Sequence, residues 1–322
     1  MLVINTHQGL YAYTRLPFGI KPAATIFQSV MDKILSGILN VQVYIDDILI
    51  WAQFDEELLE KIEIVLERLV RHNIKINAEK CQWFVSHVKY LGHILCEAGV
   101  LPNPEKVQAI TAVPEPNNAT QLKAFLGMIT FYIKFVPKLN IVLAPLHDLL
   151  RKDRKWNWDH RCQKAFHQSK RAICSVQILT HFDPSKPITV TCDASDDGIS
   201  GVLSHTINEL ERPVFFVSRR LKPAKRNYPI LHREALSIVF AMEKFYKYVL
   251  GQTVNILTDH KPLIGLFKGK KSGPTVIANR LQRYFIRLSI FDFTITYKPG
   301  KKIMSLTVFQ DFPWIKNQVR LI

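Results

Sequence analysis

Residues 41–52 read VQVYIDDILIWA and place two adjacent carboxylates, Asp46 and Asp47, between two apolar, β-branched runs. Such runs predict strands, and the polar pair between them predicts a tight hairpin with both acids at its tip. Aspartate is also common in turns for structural reasons, so the pair alone favours a simple polar turn. Only the surrounding sequence gives the pair a functional interpretation.

Helical patterns follow the hairpin. Residues 55–72 carry apolar side chains on one side, which predicts an amphipathic helix. The Pro- and Asn-rich stretch 102–118 predicts a boundary. Thr120 then has the character of a helix N-cap, and helical spacing continues to Pro137. A further helix is predicted over 141–150.

The last third of the chain alternates strands and helices, which predicts an α/β domain of roughly 125 residues. The predicted elements are a strand at 187–193 (PITVTCD), its hairpin partner at 198–203, a helix at 234–250, a strand at 254–258 and a basic helix at 279–288. On the last helix, Arg280, Arg283 and Arg287 are spaced to share one face.

Length, composition and charge narrow the class of protein. A chain of 322 residues predicts two or three domains, and 48% hydrophobic content excludes a mostly disordered protein. Of the net charge of +16, residues 211–322 carry +15, with 21 Lys and Arg against 6 Asp and Glu. This field favours a nucleic-acid partner, although a basic surface that serves only solubility is the alternative.

Targeting and redox signals are weak. No apolar run is long enough to span a membrane, and no secretory signal is visible at the start. Five widely spaced cysteines without a CxxC argue against a disulfide framework or a zinc site. We therefore expect no membrane partner and an intracellular location, cytoplasmic or nuclear.

Three acids beyond residue 190 stand at predicted strand or helix ends. Asp193 ends one strand, Glu234 opens a helix and Asp259 ends another strand. In a strongly basic region, these carboxylates could converge on a metal pair. Each also has an ordinary interpretation as a cap or turn residue.

Four motifs, in this order, resemble the reverse transcriptases of gypsy-type long-terminal-repeat retrotransposons: Leu16-Pro17-Phe18-Gly19, Phe27-Gln28, Tyr44-Ile45-Asp46-Asp47 and Tyr90-Leu91-Gly92-His93. The resemblance implies a polymerase palm in which Asp46 and Asp47 hold divalent metal. It also implies that the segment from Phe18 to Gln28 shapes the nucleotide and template pocket, and that Gly92 and His93 lie at the primer grip. The partner would be template-primer nucleic acid.

The same resemblance implies a third palm carboxylate and the fingers upstream of Gly9. Neither is present in this chain. Because two carboxylates would leave the metals under-coordinated, we expect no polymerisation by residues 1–322 alone.

The region after residue 150 resembles the RNase H domain of the same retroelement polyprotein. The matching residues are Trp156, Trp158, Asp193-Ala194-Ser195, Gly198, Ser218-Arg219, Tyr228, Glu234-Ala235-Leu236 and Thr258-Asp259-His260-Lys261-Pro262-Leu263. The resemblance implies a mixed five-stranded sheet with flanking helices. It also implies two Mg²⁺ ions, with Mn²⁺ as an alternative, held by Asp193, Glu234 and Asp259 for cleavage of the RNA strand in an RNA/DNA hybrid.

One position departs from this second resemblance. The family's fourth acid falls at Thr307, whose hydroxyl cannot replace the charge of a carboxylate, and Asp311 lies four residues later. We therefore expect weak cleavage or none, and a non-catalytic remnant that binds nucleic acid, or a poorly folded pseudogene product, stays open as an alternative.

Together these patterns predict a mixed α+β and α/β chain of unknown oligomeric state. The expected divisions are a partial reverse transcriptase palm at 1–101, a thumb-like helical region at 102–152, a connection at 153–186, an RNase H-like domain at 187–312 and a tail at 313–322.

Overall fold

A computed structural model of the chain describes residues 3–15, 19–151, 154–176, 178–207, 210–267 and 279–299, with the backbone of 320–321. The chain forms two compact units. The first comprises residues 1–88 and 315–322, and the second comprises residues 89–314. The acid-bearing hairpin belongs to the first unit, and a large sheet belongs to the second.

The first unit packs two helices against a hairpin. Its elements are β1 (Val3–Thr6), β2 (Gly9–Ala12), α1 (Ala23–Ile34), β3 (Val41–Tyr44), β4 (Asp47–Ala52) and α2 (Asp55–Arg71). The amphipathic helix predicted at 55–72 is thereby confirmed as α2, whose apolar face is buried against β3 and β4. The backbone of Arg320–Leu321 pairs antiparallel with β4.

A small sheet and a group of helices follow. They are β5 (His87–Tyr90), β6 (His93–Cys96), β7 (Gly99–Pro102), α3 (Pro104–Ala112), α4 (Ala119–Thr130), α5 (Leu139–Val142), α6 (Ala144–Leu149) and α7 (His160–Cys174). Two sequence predictions need correction here. The cap of α4 is Asn118, whose side-chain Oδ1 accepts a bond from the Gln121 N–H at 2.9 Å, so Thr120 lies inside the helix. The helix predicted over 141–150 is divided between α5 and α6, because Pro145 stands in the first turn of α6, where its missing N–H costs no hydrogen bond.

One carboxylate fastens α7 to the loop before α4. Glu115 accepts hydrogen bonds from Trp158 Nε1 at 2.9 Å and Gln163 Nε2 at 3.1 Å, and it lies 2.7 Å from His167 Nε2. These partners hold the pKa of Glu115 below its ordinary value, with the Gln163 bond the largest cause. The helices thus share a core centred on the tilted pair Phe125 and Phe166.

The ends of this helical region meet at a backbone bridge. The Val100 N–H donates to the Leu179 carbonyl at 2.7 Å, and the Leu179 N–H donates to the Val100 carbonyl at 3.0 Å. Gly99 makes the approach feasible, because a Cβ there would lie 2.0 Å from the Leu179 oxygen and its φ is +139°. Only glycine tolerates both constraints.

The large sheet is five-stranded and mixed, as the resemblance to RNase H implies. Its elements are β8 (Ile188–Ala194), β9 (Gly198–Ile207), β10 (Leu210–Arg220), α8 (Pro223–Arg226), α9 (Ile230–Lys244), α10 (Tyr246–Val249), β11 (Thr253–Thr258), α11 (Pro262–Phe267), α12 (Asn279–Leu288) and β12 (Asp292–Tyr297). The strand order is β10-β9-β8-β11-β12, with β8, β9 and β10 antiparallel and β8, β11 and β12 parallel.

Helix α9 lies unusually close to this sheet. A Cβ at Gly201 of β9 would lie 2.6 Å from the Cβ of Ala241, so only glycine lets the helix approach to this depth. The α9 residues from Glu234 to Met242 are all buried. This approach places the first half of α9 against the ends of β8 and β9.

Within the described part of the chain, no helix is long and apolar enough to cross a membrane.

Candidate functional site

The first pair of acids stands at the tip of the β3–β4 hairpin. Tyr44 pairs with Asp47, so the turn consists of Ile45 and Asp46 alone. Both aspartates are exposed, while Val43, Leu49 and Ile50 of the strands are buried. The hairpin therefore presents two carboxylates to solvent from a rigid apolar base.

The turn holds an unusual backbone conformation. Ile45 has φ = +52°, a region that β-branched residues avoid. Gln28 of α1 stabilises it, because its Oε1 accepts a bond from the Ile45 N–H at 2.6 Å and its Nε2 donates to the Val43 carbonyl at 3.1 Å. Strained backbone that neighbouring groups hold in place is typical of functional sites.

The second group of acids gathers at one end of the large sheet. Thr191 of β8 pairs with Leu257 of β11, and the two strands are parallel. Two residues further along each strand, Asp193 and Asp259 therefore reach the same level. Glu234 approaches from α9, where the Ala194 N–H donates a bond to its carboxylate.

Glu234 is the central member of this acidic cluster. Its side chain is only 4% exposed, and burial raises its pKa to about 8, with the charges of Asp259 and Asp193 adding to the effect. Among the described residues, its Oε2 has no hydrogen-bond partner. Buried carboxylates are normally paired, so an unpartnered oxygen beside two like charges indicates a ligand-binding role.

Comparison with known proteins separates an N-terminal region, which contains the hairpin, from a later region that contains most of the large sheet. Residues 1–95 match a family model described as reverse transcriptase (RNA-dependent DNA polymerase), and residues 158–256 match one described as an RNase H-like domain found in reverse transcriptase. The chain therefore combines the reverse transcriptase and RNase H-like domains of retroelement Pol polyproteins.

Two curated relatives are similar along nearly the whole chain. The retrovirus-related Pol polyprotein from transposon 297 of Drosophila melanogaster is 35% identical over 301 residues, which covers 92% of this chain and 28% of the relative. The transposon Tf2-3 polyprotein of Schizosaccharomyces pombe is 33% identical over 305 residues, which covers 93% of this chain and 23% of the relative. The chain thus spans about a quarter of each relative.

Solved structures show the same fold. A foamy viral protease-reverse transcriptase (dRH) in complex with double-stranded DNA matches with a TM-score of 0.79 at 19% identity, covering 96% of this chain and 53% of that one. The foamy viral enzyme in complex with an RNA/DNA hybrid matches with a TM-score of 0.75 at 19% identity, covering 98% and 43%. At this identity the likeness concerns the fold alone.

The reverse transcriptase and RNase H-like families generally use divalent metals, and the acidic cluster is the part of the second unit whose donors resemble such a site. Three carboxylates are the hard oxygen donors that Mg²⁺ prefers, and the free Glu234 Oε2 is available. Within the described ranges, however, no group of three or more His, Cys, Asp or Glu side chains is placed to hold a metal ion. The donor chemistry fits a divalent ion, whereas the spacing in this conformation does not.

No sequence pattern predicts the next contact of the acidic cluster. Lys138, just before α5, places its Nζ 2.5 Å from Asp193 Oδ2. The two residues are 55 positions apart, and Lys138 has φ = +56°. Proximity of this kind depends on tertiary packing, which neither periodicity nor motif spacing reveals.

The reverse transcriptase motif around Gly92 and His93 packs against the end of α4. The Tyr132 hydroxyl donates to the Gly92 carbonyl at 3.0 Å, and the His93 ring stacks on Phe131 with centroids 4.9 Å apart. Burial, followed by the charge of Lys134, lowers the pKa of His93 to about 4. His93 is therefore neutral at physiological pH.

The three arginines of α12 have different surroundings. The Arg280 guanidinium lies 3.7 Å from the centroid of the Tyr228 ring and 3.0 Å from His232 Nδ1. Arg287 donates to Glu243 at 2.8 Å, and Arg283 is exposed. Arg280 and Arg287 therefore interact with other residues of the same domain.

A basic cluster surrounds Lys225, which the sequence analysis did not single out. Its pKa is lowered first by burial and then by the nearby charges of Arg219, Arg287 and Lys222. Several cations gathered around one lysine form a favourable site for an anion. Phe18 and Thr307 lie outside the described residues.

Proposed function

We propose that the RNase H-like domain cleaves the RNA strand of RNA/DNA hybrids, with Asp193, Glu234 and Asp259 as its catalytic carboxylates. The main support for this proposal is the carboxylate of Glu234, which is buried close to the like charges of Asp193 and Asp259. A purely structural acid would have a cationic or fully hydrogen-bonded partner, because an uncompensated buried acid reduces stability. Such a cost is characteristic of sites that await a cation or a substrate.

The proposed cofactor is Mg²⁺, two ions per site, with Mn²⁺ as an alternative. When bound, such ions supply an activated water and stabilise the leaving oxygen of a phosphodiester. Asp193 and Asp259 are partly exposed to solvent. Glu234, on α9, is buried beside them. If Thr307 occupies the place of a fourth acid, the cleavage rate will be low.

The proposed partner is an RNA/DNA hybrid bound along the basic surface. Arg280, Arg283 and Arg287 supply cations on α12, and the cluster around Lys225 supplies further cations on and beside α8. Foamy viral relatives of the same fold have been solved with double-stranded DNA and with an RNA/DNA hybrid. Contacts with backbone phosphates would make binding strongly salt-dependent.

For the reverse transcriptase region, residues 1–95, we propose a role in the palm of the polymerase of a gypsy-type long-terminal-repeat element. Asp46 and Asp47 would be palm metal ligands, Phe18 and Gln28 would shape the nucleotide pocket, and Gly92 with His93 would contact the primer. The exposed, strained hairpin tip supports this assignment. The same proposal includes the divisions 1–101, 102–152, 153–186, 187–312 and 313–322, and an intracellular location in the cytoplasm or nucleus.

A cleavage assay on the full chain tests the nuclease proposal. Labelled RNA in an RNA/DNA hybrid is incubated with Mg²⁺, and product is quantified for the wild type, Asp193→Asn and Asp259→Asn. We expect each variant to lose at least about 100-fold in rate, because each removes a charge that binds cations in the transition state.

Asp196→Asn is the matched control. Asp196 lies in the turn that follows β8, three residues after Asp193, and its side chain is 92% exposed. We expect its rate to stay within about twofold of the wild type. Equal cleavage by the wild type and both site variants would assign the activity to a contaminant and contradict the proposal.

A further inference from the structure

The lysine at the acidic cluster is held there by a defined segment of the chain. Asn140 of α5 contacts Ser218 of β10 twice, through its backbone N–H at 3.2 Å from the hydroxyl and through its Nδ2 at 2.6 Å from the carbonyl. A Cβ at Gly198 would lie 2.5 Å from Ile141 Cδ1, so this side chain fits where β9 carries none. Residues 138–142, the docking segment, are therefore seated firmly on the sheet.

The register of the sheet explains why Lys138 reaches Asp193. Asp193 pairs with Ser200, and Ser200 pairs with Ser218, so the three residues form one row across β8, β9 and β10. Asn140 contacts one end of this row, and Lys138, two residues earlier, contacts the other. Gly198 and Ser200 share a face, whereas Gly201 faces α9. Asp193 thus lies where the docking segment and α9 approach the sheet from opposite faces.

The surroundings of the lysine also point to a function. Three acids gather here, and Lys138 is the cation that contacts Asp193, while the Glu234 Oε2 has no partner among the described residues. One ammonium cannot neutralise three carboxylates. Both partners of the ion pair are about one-third exposed, at 38% and 30%, so solvent and ions have access to it.

We propose that Lys138 is a built-in counter-cation of the acidic cluster, which holds Asp193 in the metal-free chain and is displaced when a divalent ion binds. This inference rests on the nuclease function proposed above and adds a competitor for its metal. It accounts for a donor set that suits Mg²⁺ in a conformation that does not close around one. Metal binding would then break the contact between the docking segment and Asp193 near the end of β8.

Two measurements on the full chain test the proposal, and both use Mn²⁺ alone as the probe. All proteins carry Asp46→Asn and Asp47→Asn, so that the hairpin contributes no carboxylates. The Mn²⁺ dissociation constant is measured by electron paramagnetic resonance for this background and with Lys138→Met, Lys138→Arg or Lys123→Met added. Lys123 is an exposed lysine of α4, so its variant matches the charge change away from the cluster.

We expect Lys138→Met to bind Mn²⁺ about threefold to tenfold more tightly than both the background and Lys123→Met. The effect is modest because the metal no longer has to break an ion pair that is itself weak and partly exposed. Lys138→Arg retains the charge, so its affinity should not exceed that of the background. Equal affinity of Lys138→Met and Lys123→Met would overturn the inference.

The second measurement requires no change at Lys138. Limited acetylation followed by mass spectrometry gives the reactivity of each lysine with and without Mn²⁺. Lys138 should become at least about threefold more reactive with Mn²⁺, and Asp193→Asn should raise its reactivity without metal. The reactivity of Lys123 should stay constant.

Failure of the two proposals can be distinguished. If no protein binds Mn²⁺, the nuclease proposal and this inference fall together. If all bind it equally, or if the reactivity of Lys138 does not respond to Mn²⁺, only the inference is overturned.

Discussion

The two acidic sites of this chain are built in opposite ways. At the hairpin, Asp46 and Asp47 are neighbours in sequence, and both are exposed at the tip of a two-residue turn. At the large sheet, Asp193, Glu234 and Asp259 come from three elements, and one of them is almost fully buried. The hairpin site depends on local backbone geometry, whereas the sheet site depends on tertiary packing that forces like charges together.

The largest expected rearrangement concerns the packing that creates the sheet site. Gly201→Val would place a branched side chain where a Cβ alone lies 2.6 Å from that of Ala241, so α9 must move away from the sheet. We expect a loss of about 3 kcal/mol in the free energy of unfolding of the second unit. Chemical denaturation combined with hydrogen exchange of peptides from 188–258 measures it.

Gly127→Ala in α4 is the control for that variant. A Cβ there meets nothing within 4 Å among the described residues, and alanine favours a helix over glycine by about 1 kcal/mol. Exchange of the hairpin peptides 41–52 should not change in either variant. Accelerated exchange at the hairpin in Gly201→Val would show that the two sites are not independent.

The charge of Glu234 should alter stability without such a rearrangement. Its pKa is about 8 in the folded chain and 4.5 in the free group. Between these values the folded chain keeps a proton that the unfolded chain releases, so stability falls as pH rises, by up to about 1.4 kcal/mol per pH unit. Above pH 8 the loss is complete. In EDTA at pH 8, Glu234→Gln should therefore be more stable than the wild type by roughly 4 kcal/mol.

The pH profile of unfolding checks this prediction. The advantage of Glu234→Gln should vanish below pH 4.5, where the wild-type carboxyl is protonated in both states. Asp47→Asn, at the exposed hairpin tip, should change stability by less than about 0.5 kcal/mol at either pH. A Glu234→Gln variant less stable than the wild type at pH 8 would contradict the proposed electrostatics.

The smallest effect belongs to the hairpin. Gln28→Ala removes the acceptor of the Ile45 N–H and the donor to Val43, which should cost the first unit about 1 kcal/mol. Faster hydrogen exchange at residues 43–47 would report the loosened turn. Gln53→Ala, an exposed glutamine in the same unit, should leave those rates unchanged. Unchanged exchange in Gln28→Ala would show that the strands alone hold the turn.

Features that depend on nearby residues could be predicted from the sequence. The hairpin, α2 and α12 follow from apolar spacing over a few turns, and the mixed five-stranded sheet follows from the resemblance. The cap of α4 was misplaced by two residues, because Asn118 and Thr120 both have capping side chains and only the backbone decides between them. The predicted helix at 141–150 failed because Pro145 starts a new helix rather than continuing one.

The candidate sites show the same limit. Asp193, Glu234 and Asp259 could be grouped as candidates through the resemblance to RNase H domains, and the structure brings their charges together. The burial of Glu234 could not be foreseen, since it depends on how closely α9 approaches the sheet. Lys138 and Lys225 were missed because nothing in their local sequence distinguishes them from other surface lysines.

The bridge between Val100 and Leu179 brings the two ends of the helical region together. Because these two residues exchange backbone hydrogen bonds, the 78 residues between them form one long closed loop whose ends are adjacent. Closing so long a loop is entropically only a little more costly than closing one half its length, by about 0.6 kcal/mol. Insertions in the loops between the helices of residues 101–178 should therefore be tolerated better than insertions at the bridge.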